Sequence, residues 1–292
     1  MKTAATDSGR PARTAPAPKP QKPPVPARPR LIHVQSAQTV GKNTRRITFT
    51  SPELADYPCE SAGVPFKLLL PHSGQNAPVM PERFENDRPV WERPSEKPIS
   101  RTYTVRAFDR AARTLAIDFV LHGGNGPAAA FAAQAAPGQT VGITAPKRGS
   151  LLKPATEYLM AGDLTALPAI AAMLEQLARS NPAARGKVFL LLPEPADLPE
   201  LTRPAGIGIH PFFGGGEHNP AIAAAVAQSR PASGDCCVWF AAEAALVAAL
   251  RPIARQQWQL PPARCYAVPY WRKGEAEEVY HQKRHEFVDS DA

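Results

Sequence analysis

Four cysteines are few for a chain of 292 residues, and their spacing does not suit a metal site or a redox pair. Cys59, Cys236, Cys237 and Cys265 form no CxxC motif, and the neighbouring pair lies within an apolar run. Thiols in that setting are more often buried in a core than bound to a metal. The pattern therefore argues against an iron–sulfur cluster or a zinc site.

Long hydrophobic runs are also missing. No apolar stretch reaches the roughly 18 residues of a membrane-spanning helix. No apolar segment of about 7 to 15 residues follows the first charged residues, as a secretory signal requires. We therefore expect a cytoplasmic protein without membrane insertion.

Excess positive charge is scarce outside the N-terminal region. Residues 1–30 carry seven Lys or Arg against one acid, which leaves only +2 of the net charge of +8 for residues 31–292. Because residues 31–292 are nearly neutral, the composition gives little support to the hypothesis of a basic groove that binds nucleic acid. Residues 1–29 also contain eight prolines and few large apolar side chains, a composition typical of disorder. We predict a disordered basic tail over 1–29; its association with nucleic acid or a membrane surface is a separate hypothesis.

Short β-prone segments dominate residues 30–152. A Pro-rich stretch at 73–100 is typical of a long loop between two of them. Six strands of this length favour a small closed antiparallel barrel. They are predicted at 31–37, 45–50, 66–70, 102–108, 114–121 and 140–145.

Apolar strands alternate with Ala-rich helices over residues 153–292. This rhythm predicts a smaller α/β domain with a parallel sheet covered on both faces. Strands are predicted at 158–161, 188–192, 207–213, 237–241 and 265–268, and helices at 166–179, 221–228, 243–258 and 275–287.

The strand segment RTYTVR is the first candidate site. Strand alternation places Arg101, Tyr103 and Val105 on one face and Thr104 and Arg106 on the other. A guanidinium fork suits a pyrophosphate, while Tyr and Thr suit a flavin ring and its polar edge. The alternative is an ordinary barrel strand with surface arginines.

A glycine loop follows the next predicted strand, in the segment HGGNGPA that begins at His122. Gly126 fits the N-cap and Pro127 the first position of a helix that continues through Ala128. Free backbone N–H groups at such a helix start can bind a phosphate. The alternative is a plain strand-to-helix turn, and a lone histidine such as His122 is more often structural than a flavin partner.

The junction GDLT lies where a predicted apolar strand turns into a helix. Asp163 or Thr165 is available as its cap. The carboxyl ends of parallel strands are where α/β proteins bind ligands. The GxGxxG fingerprint is absent, so a full dinucleotide-binding fold of the usual kind is not indicated, although a nicotinamide donor can still dock at this edge.

The segment YWRK near the C-terminus combines two aromatics with two cations. Tyr270 and Trp271 can cover a flavin face, and Arg272 and Lys273 can attract an anion. Core packing next to a solvated helix start explains the same residues equally well.

Two further groups of charged residues are weaker candidates. Lys147 and Arg148 lie near the predicted domain boundary, where an anion contact and plain surface charge are equally consistent. His281 and His285 are four residues apart on a predicted helix, yet their context is HQKRHE rather than HExxH, which favours a solvated face.

Together, RTYTVR, DFVLHGGNGPAAAFAAQAAPG, APKRGS, GDLTALPAIAAMLEQL and YWRKGEAEE occur in the order seen in siderophore-interacting proteins, a family of flavin-dependent ferric-siderophore reductases. The sequence resembles this family over roughly residues 31–287, and the resemblance implies a ferredoxin-reductase-like fold. The resemblance implies that FAD is held by Arg101, Tyr103, Thr104, His122, Gly126, Pro127, Ala128 and Thr165. It further implies a basic entrance for a NAD(P)H phosphate or an anionic iron chelate at Lys147, Arg148, Arg272 and Lys273.

The resemblance also implies a function. We expect an FAD-dependent reductase that converts chelated Fe³⁺ to Fe²⁺, with electrons from NAD(P)H or a ferredoxin and no catalytic side chain, because the flavin carries the chemistry. The expected partner is a ferric siderophore and the expected state a monomer. Two alternatives stay open: an NAD(P)H-dependent flavin or electron-carrier reductase, and a non-catalytic flavin- or siderophore-binding protein.

Overall fold

The computed structural model describes residues 28–85, 88–121, 126–232 and 234–275, together with Glu277 and Tyr280. The predicted tail, apart from its last two residues, lies outside this part of the chain. So do His122 and most of the predicted helix 275–287.

An antiparallel sheet occupies the first half of the described chain. Period-2 alternation builds it: Ile47 and Phe49 in one strand, and Leu115, Ile117 and Phe119 in its partner, all point into one core. The described part of this sheet has seven strands, whereas six were predicted. In spatial order they are β6 (Ile99–Thr104), β3 (Pro65–Leu70), β9 (Thr140–Ile143), β1 (Arg30–Gly41), β2 (Thr44–Thr50), β8 (Thr114–Val120) and β7 (Ala107–Asp109).

The extra strand arises because the predicted strand 102–108 changes partner midway. Val105 N donates to Val64 O at 3.0 Å, whereas Arg106 N donates to Ala116 O at 2.9 Å. The chain therefore leaves one edge of the sheet at β6 and joins the other edge at β7, which closes the sheet into a barrel. Alternation of side chains cannot reveal such a change of partner, because the pattern continues across it.

The predicted loop 73–100 contains a short hairpin of its own. Strands β4 (Arg83–Glu85) and β5 (Arg88–Val90) pair antiparallel to each other and apart from the barrel sheet. The many prolines explain why the remainder of this stretch stays irregular.

A parallel sheet forms the second half. Its described strands run in the order β12 (Gly206–Phe213), β11 (Arg185–Leu192), β10 (Glu157–Asp163), β13 (Cys236–Glu243) and β14 (Cys265–Trp271). Helix α2 (Leu167–Ser180) packs on one face, and α3 (Asn219–Ala227) and α4 (Ala244–Pro252) pack on the other. The prediction of a parallel sheet covered on both faces is confirmed.

Helix α4 is shorter than the predicted helix 243–258. It ends at Pro252 and continues as a π-helical turn over Ile253–Gln257. Proline has no N–H to donate, which disturbs the regular bonding at this point. Among the described residues, no helix is both long and apolar enough to cross a membrane.

The two halves meet along a polar boundary. Asn43 donates its backbone N–H to Asp197 at 2.7 Å and its side-chain N–H to the same carboxylate at 2.8 Å. Ser61 donates to Gln176 at 2.9 Å. Such directional bonds fix the orientation of the parallel sheet against the barrel.

Candidate functional site

A cavity of about 540 Å³ lies between the barrel and the parallel sheet. It is open at the carboxyl ends of β10 and β14, the edge at which α/β sheets bind ligands. Its volume is within the range of small-molecule and cofactor sites. The barrel and the residues next to it contribute Pro65, Phe66, Lys67, Thr102, Tyr103, Thr104, Asp118, Val120, Thr144, Ala145 and Lys147; the second half contributes Thr165, Pro168, Tyr266, Val268, Tyr270, Trp271 and Glu277.

Strand β6 supplies the barrel wall of the cavity. The Tyr103 ring packs against Phe119, with centroids 4.5 Å apart and planes tilted by 43°. Burial, assisted by the nearby Glu277 carboxylate, raises the pKa of Tyr103 far above its usual value, so the phenol stays neutral. Thr104 is buried beside it. Both residues were predicted from the sequence, and both line the cavity.

Arg101 lies on the same strand but is not among the lining residues. Its Nη1 donates to Ser100 O at 2.9 Å, and its Nε is 4.0 Å from the Glu277 carboxylate. The guanidinium is therefore adjacent to a group that enters the cavity. Its assignment to a pyrophosphate stays a prediction.

The helix after the glycine loop begins as the sequence predicts. Gly126 is the N-cap and Pro127 the first residue of α1 (Pro127–Gln134), and Ala130 N donates to Gly126 O at 2.9 Å. A Cβ atom at Gly126 would meet no described protein atom within 4 Å, so space is open in front of this turn. Gly126, Pro127 and Ala128 do not line the cavity, and His122 lies outside the described residues.

The GDLT junction has a different structure from the one predicted. The N-cap of α2 is Ala166, which makes no side-chain capping bond. Asp163 instead accepts bonds from Thr165, through its N–H at 2.9 Å and its hydroxyl at 2.5 Å. Its second oxygen accepts from Glu243 N at 2.7 Å and Trp271 Nε1 at 2.8 Å. The prediction of Asp163 or Thr165 as the helix cap is wrong, because an extra turn separates them from α2 and the carboxylate points to neighbouring strands.

Aromatic side chains form the wall opposite β6. Trp271, the last residue of β14, is 40% exposed and lines the cavity together with Tyr270 and Tyr266. Tyr266 stacks on the buried Trp239 at 5.4 Å and 6° between planes, and Tyr270 meets the same indole edge-on at 6.2 Å. The structure thus places Trp271 and Thr165 in one cavity with Tyr103 and Thr104.

Lys67 and Glu277 are cavity residues that the sequence analysis missed. Lys67 Nζ donates to Thr102 Oγ1 at 2.6 Å and lies 3.4 Å from Glu277 Oε1. The same carboxylate oxygen accepts from Thr102 N and Thr102 Oγ1, both at 2.7 Å. A lysine inside the apolar strand PFKLLL was a signal for Lys67. Nothing distinguishes Glu277 from the other acids in GEAEE.

The four predicted cations do not assemble as a group. Lys147 lines the cavity, whereas Arg148, Arg272 and Lys273 do not. Arg272 pairs with Glu275 at 3.4 Å. The described lining of the cavity holds two cations, Lys67 and Lys147, and two acids, Asp118 and Glu277.

Metal ligands are not grouped in the described part of the chain. No cluster of three or more His, Cys, Asp or Glu there could hold a metal ion. The four cysteines are free and buried.

An antiparallel barrel joined to a parallel α/β sheet, with an aromatic cavity between them, defines the ferredoxin-reductase-like fold class. A ferredoxin NADP⁺ reductase from Neisseria gonorrhoeae, solved with bound FAD and NADP, has this architecture; it aligns with a TM-score of 0.58 at 13% identity, over 84% of this chain and 100% of that one.

More specific similarities identify the family. Residues 33–150 match the siderophore-interacting FAD-binding domain, and residues 155–274 match the siderophore-interacting protein domain. The siderophore-interacting protein SipS from Aeromonas hydrophila aligns with a TM-score of 0.80 at 42% identity, over 91% of this chain and 100% of that one. The ferric vibriobactin reductase ViuB of Vibrio cholerae is 33% identical over 90% of this chain and 96% of its own length. The chain belongs to the siderophore-interacting protein family.

Proposed function

We propose that this protein is an FAD-dependent ferric-siderophore reductase, which converts chelated Fe³⁺ to Fe²⁺ for release of the iron in the cytoplasm. The observation that carries the proposal is the cavity itself, where the aromatic wall with Tyr103 faces the wall with Trp271 and where Lys67 and Lys147 add positive charge. The curated relative from Vibrio cholerae is named for the same reaction on ferric vibriobactin.

The residues of the cavity fit FAD. A space of about 540 Å³ between aromatic walls accommodates a flat ring system. Thr104 and Thr165 also line this space. Arg101 and the open helix start at Gly126 are suited to phosphates, because a guanidinium fork and unpaired backbone N–H groups both bind anions.

FAD, when bound, supplies the electron transfer to the chelated iron. The protein positions the reactants, supplies charged groups and excludes water from the cavity. Tyr103 and Trp271 hold the two faces of the site, and the neutral phenol of Tyr103 offers a hydrogen bond without adding charge. Lys147 attracts an anionic chelate, whereas Glu277 offsets the charge of Lys67. The hard oxygen ligands of the chelate hold Fe³⁺ more tightly than Fe²⁺, so reduction loosens the iron.

The electron donor is part of the proposal. NAD(P)H would dock at the carboxyl edge of β10, next to Thr165, where parallel sheets bind such ligands. A ferredoxin would deliver single electrons instead. We propose a monomer, with residues 30–152 as the FAD-binding domain, residues 153–292 as the donor-binding domain and residues 1–29 dispensable for the chemistry.

The decisive experiment begins with the absorbance spectrum of the purified protein, where bands near roughly 380 and 450 nm report bound flavin. The photoreduced protein is then mixed in a stopped-flow instrument with a ferric siderophore. The matched control is the same siderophore loaded with Ga³⁺, which has a similar size and charge but accepts no electron. We expect rapid reoxidation with Fe³⁺ and none with Ga³⁺.

Other outcomes favour the alternatives. Turnover of NAD(P)H that ignores the ferric siderophore would identify a flavin or electron-carrier reductase. Reduced protein that stays reduced with Fe³⁺ and shows no NAD(P)H turnover would identify a carrier. A colourless protein that takes up no FAD on titration would overturn the proposal.

A further inference from the structure

Asp163 lies at the point where three parallel strands end together. It is the last residue of β10. Its carboxylate accepts hydrogen bonds from the backbone N–H of Glu243 at the end of β13 and from the indole N–H of Trp271 at the end of β14. It also accepts hydrogen bonds from the backbone N–H and the hydroxyl of Thr165. Two of these donors, the Trp271 indole and the Thr165 hydroxyl, belong to side chains that line the cavity.

The bonding pattern suits an ionised carboxylate, and the four bonds oppose burial, which on balance raises the pKa of Asp163. Each oxygen of Asp163 accepts two bonds from described residues, and all four donors are neutral N–H or O–H groups. A carboxylate accepts at both oxygens, whereas an amide presents hydrogens at one position, where the Thr165 hydroxyl is the one donor of the four that can also accept. The side chain is buried, so the four bonds replace the water that it loses.

The position of the carboxylate is fixed by the backbone around it. At Gly162 a Cβ atom would lie 2.7 Å from the Cβ of Ala166 and 2.9 Å from the carbonyl oxygen of Ala241. Strand β10 therefore packs so closely against the turn before α2 and against strand β13 that a side chain at Gly162 would clash with both. The next residue, Asp163, cannot shift without breaking this packing.

Trp271 depends on this bond more than a core tryptophan would. Its side chain is 40% exposed at the end of an edge strand, so packing alone leaves its ring free to adopt other rotamers. The bond from its Nε1 to Asp163, at 2.8 Å, holds the ring against the cavity.

We infer that Asp163 is a positioning residue, which holds the Trp271 indole and the Thr165 hydroxyl in place on the cavity wall. The inference rests on the proposed function in assigning that wall to the flavin. Asp163 itself does not line the cavity and acts through the two side chains that do.

The first test uses Asp163→Ala without flavin. Alanine has no acceptor, so all four donors, including the Trp271 indole, lose their partner. The emission of Trp271 is obtained by subtracting the spectrum of the matching Trp271→Phe protein, since the chain has four tryptophans. We expect a red shift and an increase of about twofold in acrylamide quenching, because the ring leaves the wall. Asp235→Ala is the control: Asp235 accepts a bond from Thr156 N at 3.0 Å at the amino end of the same sheet, opposite the end that carries Trp271.

A second measurement uses the wild-type protein and does not depend on the variant folding. The indole N–H resonance of Trp271, assigned by its loss in Trp271→Phe, is expected to exchange with solvent at least about tenfold more slowly than that of a free tryptophan, despite the exposed ring. Unprotected exchange would overturn the inference. So would a folded Asp163→Ala protein with unchanged Trp271 emission.

The flavin-loaded protein supplies the functional readout. Asp163→Ala is expected to lower the rate constant for reduction of the ferric siderophore about 10-fold to 100-fold with little change in KM, because displacing the cavity wall affects the orientation of the reactants more than their binding. Adding Trp271→Phe to the Asp163 variant should lower this rate constant by a smaller factor than adding it to the wild-type protein. Failure to bind FAD would overturn the proposed function and leave both indole measurements intact, so the two ideas are tested separately.

Discussion

Arg106 and Glu175 join the barrel to the parallel sheet through two parallel bonds, Nη1 to Oε2 at 3.1 Å and Nη2 to Oε1 at 2.6 Å. Arg106 also lies 3.7 Å from Asp118, which lines the cavity. Arg106 is the residue at which the chain joins the second edge of the barrel, and Glu175 belongs to α2, the helix that follows Thr165. One ion pair therefore links barrel closure to the wall of the cavity.

Replacing Glu175 by Gln should weaken this link. We expect the free energy of unfolding to fall by about 1–3 kcal/mol, because the Arg106 guanidinium stays largely buried and loses its charged acceptor. Urea unfolding monitored by circular dichroism measures the change. Glu60→Gln, at an exposed position, is the control and should stay within about 0.5 kcal/mol of the wild type. Equal stabilities of the two variants would contradict the role of the pair.

Arg101→Ala should reduce flavin occupancy. A charge-assisted bond to a phosphate is worth about 1.5–3 kcal/mol, so we expect the Kd for FAD to rise roughly 10-fold to 100-fold. Titration of the flavin-free protein with FAD, followed by flavin fluorescence, measures it. Arg179→Ala removes an exposed arginine from the last turn of α2 and should leave the Kd unchanged. Full occupancy in purified Arg101→Ala would show that the phosphate assignment is wrong.

Glu277→Gln should raise the midpoint potential of the bound flavin. The carboxylate lies in the cavity with Lys67 and Thr102, and removal of its charge favours the added electrons. A rise of about 20–60 mV is expected for a two-electron couple, equivalent to roughly 1–3 kcal/mol. Equilibration with reference dyes measures the potential. Glu275, two residues earlier and paired with Arg272, provides the control: Glu275→Gln should change the potential by less than about 10 mV.

The cysteines should be unreactive in the folded protein. Burial raises the pKa of Cys59 and of Cys265 to about 11, and it also raises the pKa of Cys236 and Cys237. Because the thiolate is the reactive form, we expect little modification by a disulfide reagent near pH 8. The same reagent should modify all four thiols after unfolding in guanidinium. Rapid modification of a thiol under native conditions would contradict the burial seen here.

The Arg30–Asp56 pair should contribute to stability at neutral pH and lose that contribution in acid. Arg30 is fully buried and lies 3.1 Å from the Asp56 carboxylate. Its hydrogen bond lowers the pKa of Asp56 below the usual value of 3.8. A carboxyl group with a lowered pKa stabilises the fold above its unfolded pKa, and the contribution disappears as the pH falls through the folded pKa.

The matching experiment compares thermal unfolding of the wild type and Asp56→Asn between pH 7 and pH 2. The difference in Tm should stay constant down to about pH 5 and then shrink toward zero. A Tm difference that grows as the pH falls would contradict the predicted pH dependence.

Much of the fold could be predicted from local sequence patterns. Alternating apolar residues identified the barrel strands, and the Gly126-Pro127 pair located the start of α1. The change of partner between Val105 and Arg106 was not predictable, because side-chain alternation is the same whichever strand lies alongside.

The lining of the cavity was predicted only partly, for a related reason. Tyr103, Thr104, Thr165 and Trp271 belong to local motifs that could be read from the sequence, and all four line the cavity. The contact between Lys67 and Glu277 joins residues 210 positions apart, and the four bonds at Asp163 join the ends of three strands. Contacts of that kind depend on how strands are ordered in space, which the sequence around each residue does not encode.

The cavity is lined by residues from Pro65 to Glu277, and this span sets the order in which the protein can mature. During synthesis the barrel wall leaves the ribosome long before Tyr270, Trp271 and Glu277 are made. A nascent chain can fold its barrel early, but the enclosure around the ligand exists only after β14 has been added. Completion of the cavity is thus among the last events of biogenesis, and chains released before β14 would leave one side of the site open to solvent.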